Sequence, residues 1–161
     1  FEPTGFSFSK LPPYESWEDL LTSAMRYWEE YASLTKPERV VRCALRYINR
    51  FEFSEDSIDL EHWFRTRPTV GAGSKPILKY FEMKALVEVD EGEALIGFRS
   101  GKSDGGELVI ILDIDVPAMV NLDPFGQQEA LKLELDKLRD VKNRLFFSSI
   151  TRAMKERLKD G

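Results

Sequence analysis

Residues 39–53 read RVVRCALRYINRFEF and decide the fold that we predict for this chain. Successive side chains of a β-strand point to opposite faces, so apolar residues that recur with a period of two predict a half-buried strand. The odd positions supply the apolar face, which we assign to the core: Val41, Cys43, Leu45, Tyr47, Phe51 and Phe53. The opposite face carries a row of three arginines, Arg42, Arg46 and Arg50.

Two more stretches alternate in the same way. Residues 77–89 place Glu82, Lys84 and Glu88 opposite an apolar side formed by Ile77, Phe81, Met83, Ala85, Val87 and Val89. In residues 108–116 the even-numbered aliphatic residues share a face, while Asp113 and Asp115 point the other way. Gly-rich turns at residues 90–92 and 101–106 join both stretches to a strand at residues 94–100, which is typical of an antiparallel meander.

Helices are predicted on either side of these strands. Ser16 is an N-cap for an amphipathic helix of about five turns that ends at Lys36 and Pro37. A short helical segment follows at residues 58–65, and an apolar stripe predicts a long final helix over residues 127–158, about 48 Å if unbroken. With an opening strand at residues 5–9, the order is β-α-β-α-β-β-β-α. We therefore predict an α+β fold in which helices cover one face of an antiparallel sheet of about five strands.

Length and composition favour one domain over residues 1–161. The chain is 42% hydrophobic and 32% charged, as in an ordinary globular protein. No apolar run is long enough to span a bilayer and no signal peptide opens the sequence, so we predict a cytoplasmic protein without a membrane partner. The net charge of −5 argues against nucleic-acid binding by the whole molecule. Because the first residue is Phe1, we also expect a fragment of a longer protein.

The outward face of the predicted sheet is the candidate interaction face. Its members are charged side chains that the strand pattern directs away from the core: Arg42, Arg46, Arg50, Arg99, Asp113 and Asp115. Two interpretations stay open at this point. The charges either pair across strands on a solvated surface, for about 0.2–1 kcal/mol each, or they recognise a partner.

No stretch assembles a recognisable catalytic, metal or cofactor site, so we predict no catalytic residue, no metal ligand and no cofactor. Residues 97–103, GFRSGKS, have three residues between the glycines where a phosphate-binding loop needs four, and no helix follows. His62 is the only histidine and Cys43 the only cysteine. Asp113 and Asp115 are close enough on one face for acid–base work or a divalent cation, but neighbouring arginines offer a simpler role as ion-pair partners.

An alternative site lies on the apolar side of the sheet. A small ligand held between the sheet and the final helix would be lined by Trp28, Tyr47, Asn49 and Phe147. Asn49 otherwise needs a hydrogen-bond partner there, for which the hydroxyls of Ser148, Ser149 and Thr151 are candidates. A further alternative is nucleic-acid contact through the three arginines and the basic end of the final helix, residues 139–159.

Four spaced motifs resemble an uncharacterised, sporadically distributed prokaryotic protein family. They are LPPYESWE at residues 11–18, LRYINR at 45–50, LDIDV at 112–116 and KNRLFFSSIT at 142–151. The resemblance spans almost the whole chain and implies a further N-terminal segment. It carries no established activity.

The sequence thus favours a non-enzymatic protein-interaction module whose partner is another protein, most simply a second copy of itself. The final helix is longer than a sheet of this size needs, so its apolar residues, including Phe146, Phe147, Ile150 and Met154, are expected to need cover from a partner. Small-ligand binding and nucleic-acid contact remain the alternatives.

Overall fold

The structure is a computed structural model that describes residues 5–13, 15–69, 71, 80–89 and 92–160. Its helices are Trp17–Thr35 (α1), Leu60–Trp63 (α2), Gln128–Ser149 (α3) and Arg152–Asp160 (α4). Its strands are Val40–Phe53 (β1), Glu82–Val89 (β2), Gly92–Lys102 (β3) and Leu108–Leu122 (β4). The predicted strand start at Ile77, the glycine-rich loop at residues 72–76, the turn residues 90–91 and Tyr14 lie outside the described residues.

The four strands form one antiparallel sheet in the order β1-β4-β3-β2, which confirms the predicted α+β class. The strands β2, β3 and β4 make a meander, and β1 lies beside β4. This order is that of a Greek key, in which three hairpin-connected strands are joined by a fourth beside the last. The sheet places β1 and β2 at its two edges.

Contacts divide the chain into two compact units. The first comprises Phe1–Cys43 and Met119–Glu134, and the second comprises Ala44–Ala118 and Leu135–Gly161. The division falls inside β1, β4 and α3, so each unit is built from two separate segments of the chain. The single domain expected over residues 1–161 stays a prediction.

In the first unit, α1 begins as the sequence predicts. The Ser16 hydroxyl accepts a hydrogen bond from the Asp19 backbone N–H at 3.1 Å, and Lys36 ends the helix in a left-handed conformation. Of the opening strand predicted at residues 5–9, Gly5 forms an isolated bridge and residues 6–9 form no strand, so that prediction is wrong. The ring of Phe6 instead packs 5.9 Å from that of Trp28 and 5.6 Å from that of Tyr31. An isolated apolar pair can pack on a helix without sheet partners, which a period of two does not reveal.

In the second unit, the apolar side of the sheet carries an aromatic cluster around Phe64. This residue is fully buried, and its ring lies 5.3 Å from Phe51, 6.5 Å from Phe53 and 5.0 Å from Phe98. The edge-to-face arrangements suit aromatic quadrupoles and add to the gain from burying the rings. Phe51 and Phe53 confirm the inward assignment of the odd β1 positions. Val41 does not, since it is 59% exposed at the start of the strand.

The final helix is interrupted, contrary to the unbroken helix of residues 127–158 considered from the sequence. At the break, Ile150 forms an antiparallel bridge with Phe64, and the Arg65 backbone N–H donates to the Ser149 carbonyl at 2.8 Å. The Thr151 hydroxyl donates to the His62 carbonyl at 2.6 Å and accepts from the Met154 backbone N–H at 3.3 Å, which caps α4.

Because of this break, the burial of the terminal apolar residues differs from what the sequence predicted. Ile150 and Met154 are fully buried within the chain, so the expectation that they need cover from a partner is wrong. Phe147, by contrast, is half exposed. Within the described residues, no helix is both long and apolar enough to cross a membrane.

Candidate interaction face

The outward face of the sheet is defined here by the outward-pointing residues of the four strands within the second unit. The strand register places Lys84 opposite Gly97 and Gly97 opposite Asp113. Arg46 of β1 then completes a row of side chains across the sheet, because its guanidinium binds the Asp113 carboxylate through two hydrogen bonds of 2.9 and 2.5 Å. The pKa of Arg46 is raised by this hydrogen bond and by the negative charge of Asp113.

Two further ion pairs on this face join residues of the same strand. Arg50 Nη2 lies 2.7 Å from Glu52 Oε1, and Lys84 Nζ lies 3.4 Å from Glu82 Oε1. These side chains are about half exposed, so each pair contributes on the order of 0–1 kcal/mol. The cross-strand pairing expected from the sequence is therefore present at Arg46, and the arginine row does not form a free cationic stripe.

The charge balance of the face is slightly acidic. Its basic residues are Arg46, Arg50, Lys84 and Arg99, and its acidic residues are Glu52, Glu82, Glu88, Glu93, Asp113 and Asp115. Arg42 is exposed at the start of β1, within the first unit. Asp113 and Asp115 share the outward face as the sequence predicts, but Asp113 is engaged by Arg46.

Apolar side chains interrupt the charges. Ile48 is 59% exposed, Leu86 is 65% exposed and Leu95 is 42% exposed. Leu86 and Leu95 are directly opposite each other in the pairing of β2 with β3, so they form one exposed apolar pair. Sequence reasoning assigned no role to Leu86, although its even position among Glu82, Lys84 and Glu88 was the signal that it points outward.

The residues proposed to line a ligand pocket divide between the two units, with Trp28 in the first and Tyr47, Asn49 and Phe147 in the second. Asn49 lies on the apolar side and donates from Nδ2 to the Leu112 carbonyl at 3.0 Å, so its partner is a strand backbone and none of the serine and threonine hydroxyls. Phe147 packs 5.2 Å from the ring of Phe146. Trp28 belongs to the first unit, where its buried Nε1 has no hydrogen-bond partner among the described residues. The ligand pocket itself stays a prediction.

Tyr47 has a neighbour that the sequence analysis did not single out. The Nζ of Lys142 lies 3.7 Å from the centre of the Tyr47 ring, a cation–π contact on the apolar side of the sheet. Lys142 is buried, and among the described residues no carboxylate pairs with it. Burial, together with the positive charge of Arg139, lowers the pKa of its ammonium to about 8. The sequence signal for this burial was the place of Lys142 on the apolar face of α3, next to Val141.

An open cleft of about 240 Å³ lies between β2 and α3. Val89 at the end of β2 and Val141, Arg144, Leu145 and Ser148 of α3 line it. It is smaller than most small-molecule sites, which measure about 300–1,000 Å³. None of the predicted lining residues borders it.

The candidate reactive groups lie outside this face. Burial raises the pKa of the Cys43 thiol to about 11, with a further contribution from the Glu134 carboxylate, so the thiol is protonated at neutral pH. His62 is exposed and its ring packs edge-on against Trp63 at 4.6 Å. Over the described ranges, no three His, Cys, Asp or Glu side chains are grouped to hold a metal ion.

Comparison of the chain with models of known protein families, with curated proteins and with solved structures gives no match.

Proposed function

We propose that this chain is a non-enzymatic protein-interaction module that associates with a second copy of itself at the exposed strand pair of β2 and β3. The exposed pair of Leu86 and Leu95 carries the proposal. Two neighbouring leucines on a regular strand pair offer a flat apolar contact, and exposed apolar patches rimmed by polar residues mark interaction sites.

The charges around this pair favour a protein over a nucleic acid. Binding to a phosphate backbone needs a surplus of cations on one surface. Here Arg46 is bound to Asp113 and Arg50 to Glu52, and acidic residues outnumber basic ones on the face. Nucleic-acid contact through the arginines is therefore the weaker alternative.

The same charges favour a second copy over an unrelated partner. A twofold-symmetric contact must be self-complementary, because the same patch is used on both subunits. A face that carries both signs beside an apolar pair meets this condition, whereas a face of one sign would repel its own copy.

The test is the mass of the protein in solution, measured by light scattering over a range of concentrations. We expect a dimer at high micromolar concentration and a monomer on dilution. The Leu86→Asp variant should shift the equilibrium toward monomer, whereas Leu34→Asp, at an exposed leucine of α1, should leave it unchanged. A wild-type protein that stays monomeric at high micromolar concentration would contradict the proposal.

A further inference from the structure

We infer that the edge of β2 is the contact between copies, and that two β2 strands pair antiparallel to make one continuous eight-stranded sheet. This inference rests on the proposed self-association and specifies its geometry. It follows from three features of the second unit: a sheet edge to which no described residue supplies a backbone partner, a sequence that is complementary to itself when the pairing is centred on Leu86, and a cleft beside that edge.

The first feature is the hydrogen-bonding pattern of β2. The Phe81 carbonyl accepts from the Ser100 backbone N–H at 3.0 Å, so odd-numbered residues of this segment direct their backbone groups toward β3. Backbone groups of alternate residues point to alternate sides in an antiparallel sheet. Residues 82, 84, 86 and 88 therefore direct their N–H and C=O groups to the outer edge. No described residue supplies a backbone partner for them.

The second feature is the register. A twofold axis between antiparallel strands stands perpendicular to the sheet, so both outward faces stay on the same side and residues directly opposite share a face. The axis can then pass beside any one residue of the strand. Centred on Leu86, the pairing sets Leu86 opposite Leu86 of the second copy. It also sets Lys84 opposite Glu88 on both sides of the axis.

Neighbouring registers lose this match. Centred on residue 85, the pairing sets Glu82 opposite Glu88 of the second copy, which brings two carboxylates together. Centred on residue 84, it sets Lys84 against itself, and centred on residue 87 it sets Glu88 opposite Leu86. Like charges directly opposite are unfavourable in a sheet, and opposite charges and apolar pairs are favourable. Among the registers centred on residues 84 to 87, only the one centred on Leu86 sets opposite charges opposite each other and leucine opposite leucine.

The apolar row that results is longer than that of one copy. Leu95 lies opposite Leu86 in β3. In the paired sheet, the two Leu86 side chains meet at the axis and a Leu95 flanks each of them. Four leucines then form a continuous row across the junction, in which the two Leu86 side chains cover each other's facing sides.

The third feature is the cleft between β2 and α3. The inward residues of β2, Met83, Ala85, Val87 and Val89, are only half buried, so the apolar layer is incompletely covered at this edge. In the register centred on Leu86, Met83 of the second copy lies opposite Val89, at the cleft that Val89, Val141 and Leu145 border. The flexible thioether side chain of methionine suits such an irregular apolar cleft.

A charge exchange tests this register. Lys84→Glu alone sets two carboxylates opposite each other, and Glu88→Lys alone sets two ammonium groups opposite each other. Each single variant should raise the dimer dissociation constant by about tenfold, because two symmetry-related pairs change from attraction to repulsion. The double variant restores opposite charges and should dimerise like the wild type.

Mixing the two single variants gives a second readout. In a dimer of one Lys84→Glu chain with one Glu88→Lys chain, both pairs are again attractive, so the mixed dimer should form in preference to either pure dimer. Glu29→Lys, on an exposed face of α1, makes the same change in net charge as Glu88→Lys and should leave the mass unchanged. Sedimentation velocity at a fixed micromolar concentration measures all of these species.

The outcomes separate the two proposals. A wild-type dimer whose mass is unaffected by the single variants, or a double variant that fails to recover, overturns the β2 pairing and leaves self-association standing. A wild-type protein that is monomeric at high micromolar concentration overturns both.

Discussion

Lys142 is predicted to reduce the stability of the fold at neutral pH. Replacing it with methionine removes a buried ammonium that has no carboxylate partner among the described residues and keeps a side chain of similar length. Burial lowers the pKa of this group from 10.5 to about 8. A difference of this size between the unfolded and folded chain corresponds to about 3 kcal/mol. The Tyr47 ring offsets about 1 kcal/mol of this through the cation–π contact, so Lys142→Met should stabilise the protein by about 2 kcal/mol at pH 7.

The pH dependence has a definite sign. Below pH 8 the lysine is protonated in both states and the full penalty is present. Between pH 8 and 10.5 the unfolded chain binds more protons than the folded chain, so stability rises with pH in this window. The wild type should therefore approach the Lys142→Met variant in stability as the pH increases toward 10.5.

Urea denaturation followed by circular dichroism, repeated across this pH range, measures the difference in free energy of unfolding. Lys137→Met, at an exposed lysine of the same helix, is the matched control and should change stability by less than about 0.5 kcal/mol. A Lys142→Met variant that is less stable than the wild type at pH 7, or a difference that does not shrink with pH, would refute this reasoning.

Three further predictions concern the core, the helix break and the thiol. Phe64→Ala should lower the free energy of unfolding by about 3–5 kcal/mol, since it empties the centre of the aromatic cluster; a loss below about 1 kcal/mol in urea denaturation would contradict this role. Thr151→Val keeps the shape of the side chain but removes the hydroxyl that caps α4, and should lower the free energy of unfolding by about 1–2 kcal/mol. Ser148→Ala is the control and should change this energy little, because the exposed Ser148 hydroxyl bonds only within its own helix, to the Leu145 carbonyl. The Cys43 thiol should react with a disulfide reagent in the native protein at pH 8 far more slowly than in urea, because its pKa is raised to about 11; equal rates would show an accessible thiolate.

The outward face of the sheet shows what the local alternation of side chains can and cannot predict. The alternation of β1 predicted that Arg46 points away from the core, and the alternation of β4 predicted the same for Asp113. That these two meet depends on which strands are neighbours. Since β1 and β4 are far apart in sequence, only the sheet order could bring the guanidinium to the carboxylate.

The sequence-based predictions that were wrong have a common physical cause. Phe6 and Phe8 were assigned to a strand, and Ile150 and Met154 to a helix surface in need of cover. In each case the residues were correctly identified as apolar, but their packing partners come from elsewhere in the chain. Ile150 is buried because Phe64 bridges to it across a long interval of sequence. A helix stripe does not reveal such a partner.

The sequence by itself determined the fold class, the inward and outward sides of the strands and the start of the first helix. These follow from a strand's period of two and from capping chemistry, both of which act over a few neighbouring residues. Tertiary structure alone decided that β2 is an edge strand, that the terminal helix breaks at Ile150 and that Lys142 is buried against Tyr47. Each of these depends on contacts between distant segments, whose energies no local window of the chain contains.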